Sequence, residues 1–517
     1  MNLSTQLLET AEKFKTKPAY IFMDQETSYS EFNGVVTQFS DGLQRLGVNK
    51  GDNVALLLGN SPHFLISLYG LMRLGATAIP INPTYTPDEI AYILKNGDVK
   101  AVITLDLLVP MFDKLKPILP DVNHIIVCPS GAESAVIPQD LSISNKMKPF
   151  TDILQMASGQ FSAPTVEEDD TALILYTSGT TGKPKGAMLT HKNLYSNARD
   201  VADYLQISGD DRVITVLPMF HVFCLTVSLN APLLNGGTLI ILPKFSPAEV
   251  FRVAEKYEVT LFAGVPTMFN YLLQYPEANE ESFKTLRFCI SGGSAMPVAL
   301  LTNFEKKFNV IVSEGYGLSE ASPVTCFNPI DRPRKPGSIG KSIIHVENKV
   351  VDELGEEVQP GEVGELIVRG PNVMKGYYKM PEETAATIKD GWLYTGDLAR
   401  ADDEGYFYIV DRKKDMVIVG GFNVYPREIE EVLFAHPEVS EVAVIGAPDP
   451  NLGEVIRCFV VSKNPELTEE QLIHYCQEHL AKYKVPQSID FMDELPKNTT
   501  GKILRRALKN TVLQQTK

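Results

Sequence analysis

The chain has 517 residues, 44% of them apolar and 22% charged, and a formal net charge of −16. That length asks for two or three domains with ordinary globular cores. The negative balance speaks against nucleic acid as a partner, because a nucleic-acid binder needs a basic face.

The N-terminal stretch MNLSTQLLETAEKFKTKP is polar and lacks the apolar centre of a signal peptide. Next comes the apolar run NVALLLGN, a strand pattern, followed by SPHFLISLYGLMRLG. There Ser61 suits an N-cap, Pro62 the first helical position and Gly75 the stop. Arg73 interrupts this stretch, and no apolar run reaches the ~18 residues of a membrane span. TAIPIN leads into TPDEIAYILKNG, where Thr86 and Glu89 have capping-box spacing and Gly97 ends the helix. AVITL and HIIVC continue the series. After a Ser/Pro-bearing connection near 130–165, the strand patterns TALILYT, RVITVLP, TLIILP, TLFAGVP, RFCISGG and VIVSEGYG follow within 171–317. Ser246 and Glu249 predict another capping box between them. Short apolar runs alternating with helices mean largely parallel α/β sheets, which bind ligands at the carboxyl ends of their strands. Four polar, glycine-bearing segments sit at such ends: TSGTTG, PMFHVF, SGGSAM and EGYGLSE.

The densest of these is YTSGTTGKPKGAMLTH, running from Tyr176 to His191. Glycines let backbone N–H groups crowd an anion, hydroxyls add donors, and lysines add charge. A polyphosphate is the expected ligand; the alternative is a solvated turn. A Walker A loop fails on spacing, because the fifth residue after Gly179 is Pro184 rather than Gly. From about 340 the pattern turns β-rich, with VENKVVDELGEEV, VGELIVRG and GYFYIVDR. A short charged run, DRKKD, then opens a compact α+β stretch with a capped helix from Thr468. The six cysteines, Cys128, Cys224, Cys289, Cys326, Cys458 and Cys476, form no C-x-x-C pair, so neither a zinc site nor a disulfide framework is expected. A cytoplasmic enzyme is the default expectation.

Taken together, the fingerprint from Tyr176 to His191, Tyr316-Gly317-Leu318-Ser319-Glu320, Tyr394-Thr395-Gly396-Asp397, the Asp411–Asp415 run and PKNTTGK from Pro496 to Lys502 resemble the adenylate-forming superfamily. This superfamily comprises acyl- and aryl-CoA synthetases, peptide-synthetase adenylation domains and beetle luciferases. GELIVRGPNVMKGYYKMPEET and IVGGFNVYPREIEEVL look most like bacterial long-chain fatty acid–CoA ligases. The resemblance implies a large N-terminal adenylation domain, 1–411, of mostly parallel sheets flanked by helices, with a distorted β-barrel subdomain at roughly 340–411. A small mobile α+β domain, 412–517, would follow, hinged at Lys414. The implied reaction has two steps: ATP and a carboxylic acid give acyl-AMP and pyrophosphate, then coenzyme A gives acyl-CoA and AMP. The aryl-acid (4-coumarate-like) CoA ligase, the carrier-loading adenylation domain and a non-catalytic nucleotide-sensing homologue are the alternatives. A small-molecule acid, ATP and CoA are the expected partners of a monomer or homodimer; peripheral membrane contact stays open.

By the same resemblance, Thr177, Ser178, Gly179, Thr180, Thr181, Gly182 and Lys185 cradle phosphates. Glu320 and Thr177 hold magnesium. Gly292, Gly293 and Ser294 lie on one side of adenine and Tyr316 on the other, with Glu314, Gly315, Gly317 and Ser319 around it. Asp397 and Arg412 contact ribose, Lys502 the reacting carboxylate and α-phosphate, and Gly421 the path of the CoA thiol. His221 is expected to gate the acyl channel, whose apolar lining would include Phe220, Phe223, Leu225, Val265, Met268 and Met296. Many members have Thr where this chain has Ser319. Ile418 replaces a Lys that some luciferase-like relatives use in the second step.

Overall fold

The computed structural model describes residues 2–115, 121–131, 135, 137, 143–177, 184–499 and 501–515. Two large sheets dominate the first two thirds of the chain. The first has eight strands, and five of them are parallel neighbours from Thr171–Thr177 through Thr77–Pro80, Asn53–Leu57 and Val99–Leu105 to His124–Cys128. The Met147–Pro149 strand adds a parallel edge. Lys185–Thr190 and Gly376–Tyr377 extend the other side antiparallel. The second sheet has nine strands. Its parallel centre runs through Pro18–Phe22, Thr238–Ile241, Arg212–Thr215, Leu261–Gly264, Phe288–Ser291 and Ile311–Gly317. Apolar strands buried on both faces are what helix-covered parallel sheets require, and the Asn53–Leu57 and Leu261–Gly264 strands are buried along their whole length.

Local chemistry sets the helix ends. Ser61 caps Pro62–Leu74 through the Phe64 N–H, and Gly75 closes it in the left-handed conformation. Thr86 and Glu89 form the reciprocal capping box of Pro87–Asn96, and Thr468 with Gln471 caps Glu469–His479. The box expected at Ser246 does not form, although Pro247–Lys256 is a helix and Pro247 fills its first turn. The Glu249 carboxylate is taken instead by Arg252, whose Nη2 lies 2.9 Å from it.

Glu347–Val351, Gly364–Arg369, Trp392–Ala401, Phe407–Arg412 and Ile388–Lys389 make an antiparallel sheet. Register shifts between Glu365 and Ile367 and between Leu398 and Ala399 curl it, as bulges do. Beyond Lys414 the chain builds a further five-stranded sheet from Val417–Val419, Phe422–Val424, Val439–Asp449, Gly453–Ser462 and Ser488–Phe491. This last sheet packs around cores of its own, centred on Val444, Ile456 and Leu472 and on Phe459, Leu495 and Leu508. Among the described residues no helix is long and apolar enough to cross a membrane.

Candidate functional site

Two neighbouring strand ends meet on the nine-stranded sheet. Ser291, which precedes Gly292, pairs in register with Glu314, so the glycine loop 292–296 lies beside the Gly315-Tyr316-Gly317 end of its neighbour. Gly315 and Gly317 are small because protein already fills the adjacent space. A Cβ on Gly315 would stand 2.1 Å from the Phe327 ring, and one on Gly317 would stand 2.4 Å from the Pro323 carbonyl oxygen. A Cβ on Gly292 would press on the Phe223 ring at 3.0 Å. Gly293 has φ +81, and it and Ser294 are exposed. Glu314 is buried: Oε1 accepts from the Met296 N–H and Oε2 from the Gly337 N–H, both at 3.3 Å. Burial pushes its pKa up to about 7, against the opposing pull of Arg427. The Glu314 side chain therefore braces the glycine loop from below.

The Tyr316 hydroxyl donates to Asp397 Oδ2, and burial with that carboxylate beside it holds the phenol well above its ordinary range. Asp397 and Arg412 face each other across an antiparallel pair of strands, with Nε 3.6 Å from Oδ1. Ser319 and Glu320 share a single 3₁₀ turn, Ser319–Ala321. Glu320 Oε1 accepts from the Tyr377 hydroxyl at 2.9 Å. The Tyr377 ring in turn lies 5.2 Å from Lys185 Nζ. Thr177 and Lys185 are opposite each other at the end of an antiparallel pair. The fingerprint thus lies between two antiparallel strands, whereas a Walker A loop runs from strand to helix. Ser178, Gly179, Thr180, Thr181 and Gly182 lie outside the described residues.

Lys502 comes to this site from the other end of the chain. Its turn is closed by hydrogen bonds from the Lys502 N–H to Asn498 Oδ1 and from the Asn498 N–H to the Lys502 carbonyl, both 2.9 Å. Asn82 Nδ2 donates to Thr499 Oγ1 at 2.7 Å. Gly501, at φ +78, fits over Thr267, where a Cβ would stand 2.6 Å from Oγ1. Burial pushes the Lys502 pKa down to about 8; Arg412 adds to the effect and Asp397 opposes it. His221 feels that same ammonium: burial and then Lys502 push its pKa down to about 4. His221 Nδ1 accepts from the Phe223 N–H at 3.3 Å, which assigns the ring proton to Nε2. His221 is therefore a neutral imidazole at pH 7.

Sequence reasoning missed what holds His221. The buried Asn60 side chain accepts from the Met219 N–H at 2.8 Å and donates to the Leu217 and Leu242 carbonyls. A π-helix, Cys224–Asn230, follows; such turns are rare and collect at functional sites. Tyr377 was also missed, although it bridges two expected site residues. Of the apolar channel residues, Leu225 and Met296 are fully buried in the core, whereas Phe220 is only partly buried. A Cβ on Gly293 would contact Val265, and so would one on Gly501. Lys414 and Gly421 are exposed and stand apart from these contacts.

The model of the AMP-binding enzyme family matches residues 7–378, and that of the AMP-binding enzyme C-terminal domain matches 428–502. A long-chain-fatty-acid–CoA ligase of Bacillus subtilis (strain 168) is 40% identical, over 98% of this chain and 94% of that protein. ATP-bound MatB from Rhodopseudomonas palustris superposes with a TM-score of 0.91 at 34% identity, covering 100% of both chains. The apo form of MatB gives 0.80 over the same coverage at the same identity, so the chain as a whole superposes better on the ATP-bound form. With more than half its length matched, the chain belongs to the AMP-binding enzyme family.

Proposed function

We propose that the chain is a fatty acid–CoA ligase. Its AMP-forming chemistry joins an acyl carboxylate to AMP with release of pyrophosphate, then passes the acyl group to the CoA thiol. The observation that carries the reading is the convergence of Tyr316, Asp397, Arg412 and Lys502, drawn from four separate segments onto one site.

Attack on phosphorus is catalysed mainly by positioning and by charge placed where it develops. Tyr316 packs on adenine opposite Gly292, Gly293 and Ser294. Tyr316 and Arg412 hold the Asp397 carboxylate in place for the ribose hydroxyls. Lys502 neutralises the charge growing between carboxylate and α-phosphate. A carboxylate nucleophile is already ionised at pH 7, so the neutral His221 needs no proton to take and serves as a gate. The fingerprint loop, with Lys185, holds the outer phosphates. Glu320 fits magnesium: Tyr377 occupies Oε1, which leaves Oε2. No group of three His, Cys, Asp or Glu among the described residues could hold a metal by itself. One carboxylate, with Thr177 beside the phosphates, is the donor set a magnesium–nucleotide complex takes. Bound there, the ion would supply positive charge to the phosphate oxygens.

For the second step the small domain beyond Lys414 rotates about that residue. The rotation withdraws Lys502 and brings the Gly420–Gly421 hairpin to the thiol's path. Six free, buried cysteines suit a reducing compartment, in keeping with a cytoplasmic enzyme.

The fatty-acid assignment rests on the relatives and on the apolar side chains of Phe223 and Val265 beside the glycine loop. An apolar wall gains ~0.8 kcal/mol per buried CH₂. In a panel of acids with free CoA, kcat/KM should climb from acetate through decanoate. Preference for acetate or a hydroxycinnamate over decanoate would overturn the assignment.

A further inference from the structure

Besides the Lys502 turn, the small domain meets the large one through the helix Pro426–Phe434. Two of its side chains, one turn apart, reach across the boundary. Arg427 Nη1 donates to the Ile409 carbonyl at 2.6 Å, and the Arg427 N–H donates to Asp411 Oδ2 at 3.1 Å. Both acceptors lie on the Phe407–Arg412 strand, whose last residue faces Asp397. Glu431 Oε2 accepts the Val298 N–H at 3.4 Å. Val298 opens the large-domain helix Val298–Phe308, whose N-cap position is Pro297 and which has no side-chain cap of its own. The first N–H groups of a helix lack internal partners and carry partial positive charge. The missing cap is supplied by a carboxylate from the other domain. Arg427 Nε and Glu431 Oε1 are 3.9 Å apart, so each steadies the other.

The position of that cap matters. The loop 292–297 leads directly into the capped helix, and its Met296 N–H is held by Glu314. The Arg427 charge also pulls the Glu314 pKa down against its burial. The glycine loop beside Tyr316 is thus held from two sides, and both sides connect to the helix Pro426–Phe434. Ile409, Asp411 and Val298 precede Lys414; Arg427 and Glu431 follow it. A rotation about Lys414 that withdraws Lys502 must therefore break both contacts.

We propose that Arg427 and Glu431 are positioning residues that latch the small domain in the adenylate-forming orientation and seat the nucleotide loop in that orientation. This inference rests on the domain rotation put forward under Proposed function. Breaking the latch should slow the first half-reaction and spare the second.

The test uses the full chain with Arg427→Ala, Glu431→Ala or Glu431→Gln, each checked for a cooperative melt. Acid-dependent pyrophosphate exchange should fall roughly tenfold in each alanine variant, the loss expected for a hydrogen bond to a charged group. Conversion of supplied acyl-adenylate to acyl-CoA should hold. Glu431→Gln keeps an acceptor for Val298 and should lose less. A structural readout accompanies the rates. Because the native cysteines are all buried, spin labels on Leu107→Cys and Glu470→Cys, at exposed positions, report the interdomain distance. Without ATP, the alanine variants should show a broader distribution than the parent. Equal loss in both half-reactions, or unchanged exchange with the parent's distances, would overturn the latch. Lys502→Ala serves as control: if it separates the half-reactions and the latch variants do not, the latch alone is wrong. If Lys502→Ala separates nothing, the rotation itself fails.

Discussion

Two pairs of glycines flank the chemistry and live in opposite surroundings. Gly315 and Gly317 sit on a sheet strand, where any Cβ would strike Phe327 or the Pro323 backbone. Gly420 and Gly421 sit in an exposed hairpin at φ +57 and +88, and a Cβ on Gly421 would meet nothing within 4 Å. The first pair makes room that protein has already taken. Beside Gly421 the room is still empty, and a Cβ on Gly420 would meet only Leu452 at 3.5 Å. On the proposed rotation, the contrast separates a nucleotide frame built in advance by the large domain from a small-domain loop that would act only after moving. On that proposal, binding and adenylation would draw on the large-domain frame, and thioester formation on delivery of the hairpin.

The largest effect that sharpens this contrast is expected from Gly317→Ala. Its Cβ meets backbone that cannot yield, and overpacking of that kind costs about 1–3 kcal/mol. Denaturant unfolding should show the loss, and ATP binding should weaken with it. Gly421→Ala has open space but strains the hairpin at φ +88, outside the nucleotide frame, so it should keep ATP affinity and pyrophosphate exchange and lose only the second half-reaction. Equal loss of ATP binding in both variants would break the distinction.

A smaller effect should appear with pH. Burial sets the Lys502 pKa at about 8, below the usual lysine value. A lowered lysine pKa means the ammonium is present below pH 8 and is lost as pH rises through it. The free-enzyme pKa governs kcat/KM, so kcat/KM for acid-dependent pyrophosphate exchange should decline above pH 8. Conversion of supplied acyl-adenylate, for which the proposed rotation withdraws Lys502, should lack that limb.

The smallest effect belongs to Tyr377→Phe. The ring stays under Lys185, and only the hydroxyl bond to Glu320 is lost. One such bond contributes roughly 1 kcal/mol, about fivefold in affinity. Calorimetry of ATP binding across a magnesium titration should show the ion requirement raised by that factor, with magnesium-free ATP binding unchanged. An unchanged magnesium dependence would remove Tyr377 from the site.

Much of the frame was legible because its signals are local. The Thr86–Glu89 box, the Ser61 cap with Pro62, and the polar segments ending apolar strands all follow from short spacings. The roles of Asp397, Arg412 and Lys502 came from the resemblance. What stayed hidden depends on pairs distant in sequence: Asn60 with Met219, Glu320 with Tyr377 and Val298 with Glu431 are 159, 57 and 133 residues apart. Periodicity carries no information about such meetings. Ser246 shows the converse error, since its spacing was right but Arg252 outcompeted the box for the Glu249 carboxylate. The loop 178–183, the strongest sequence signal, lies outside the described residues, so its phosphate role stands on the chemistry of its residues and on the resemblance.

The most direct test of one site served by two faces of a moving domain is the pair of half-reaction rates in Lys502→Ala. Acid-dependent pyrophosphate exchange reports the first step, and acyl-CoA formation from supplied acyl-adenylate reports the second. The expected result is loss of the first with the second retained at close to the parent rate. Equal loss of both, in a variant that melts like the parent, would contradict it.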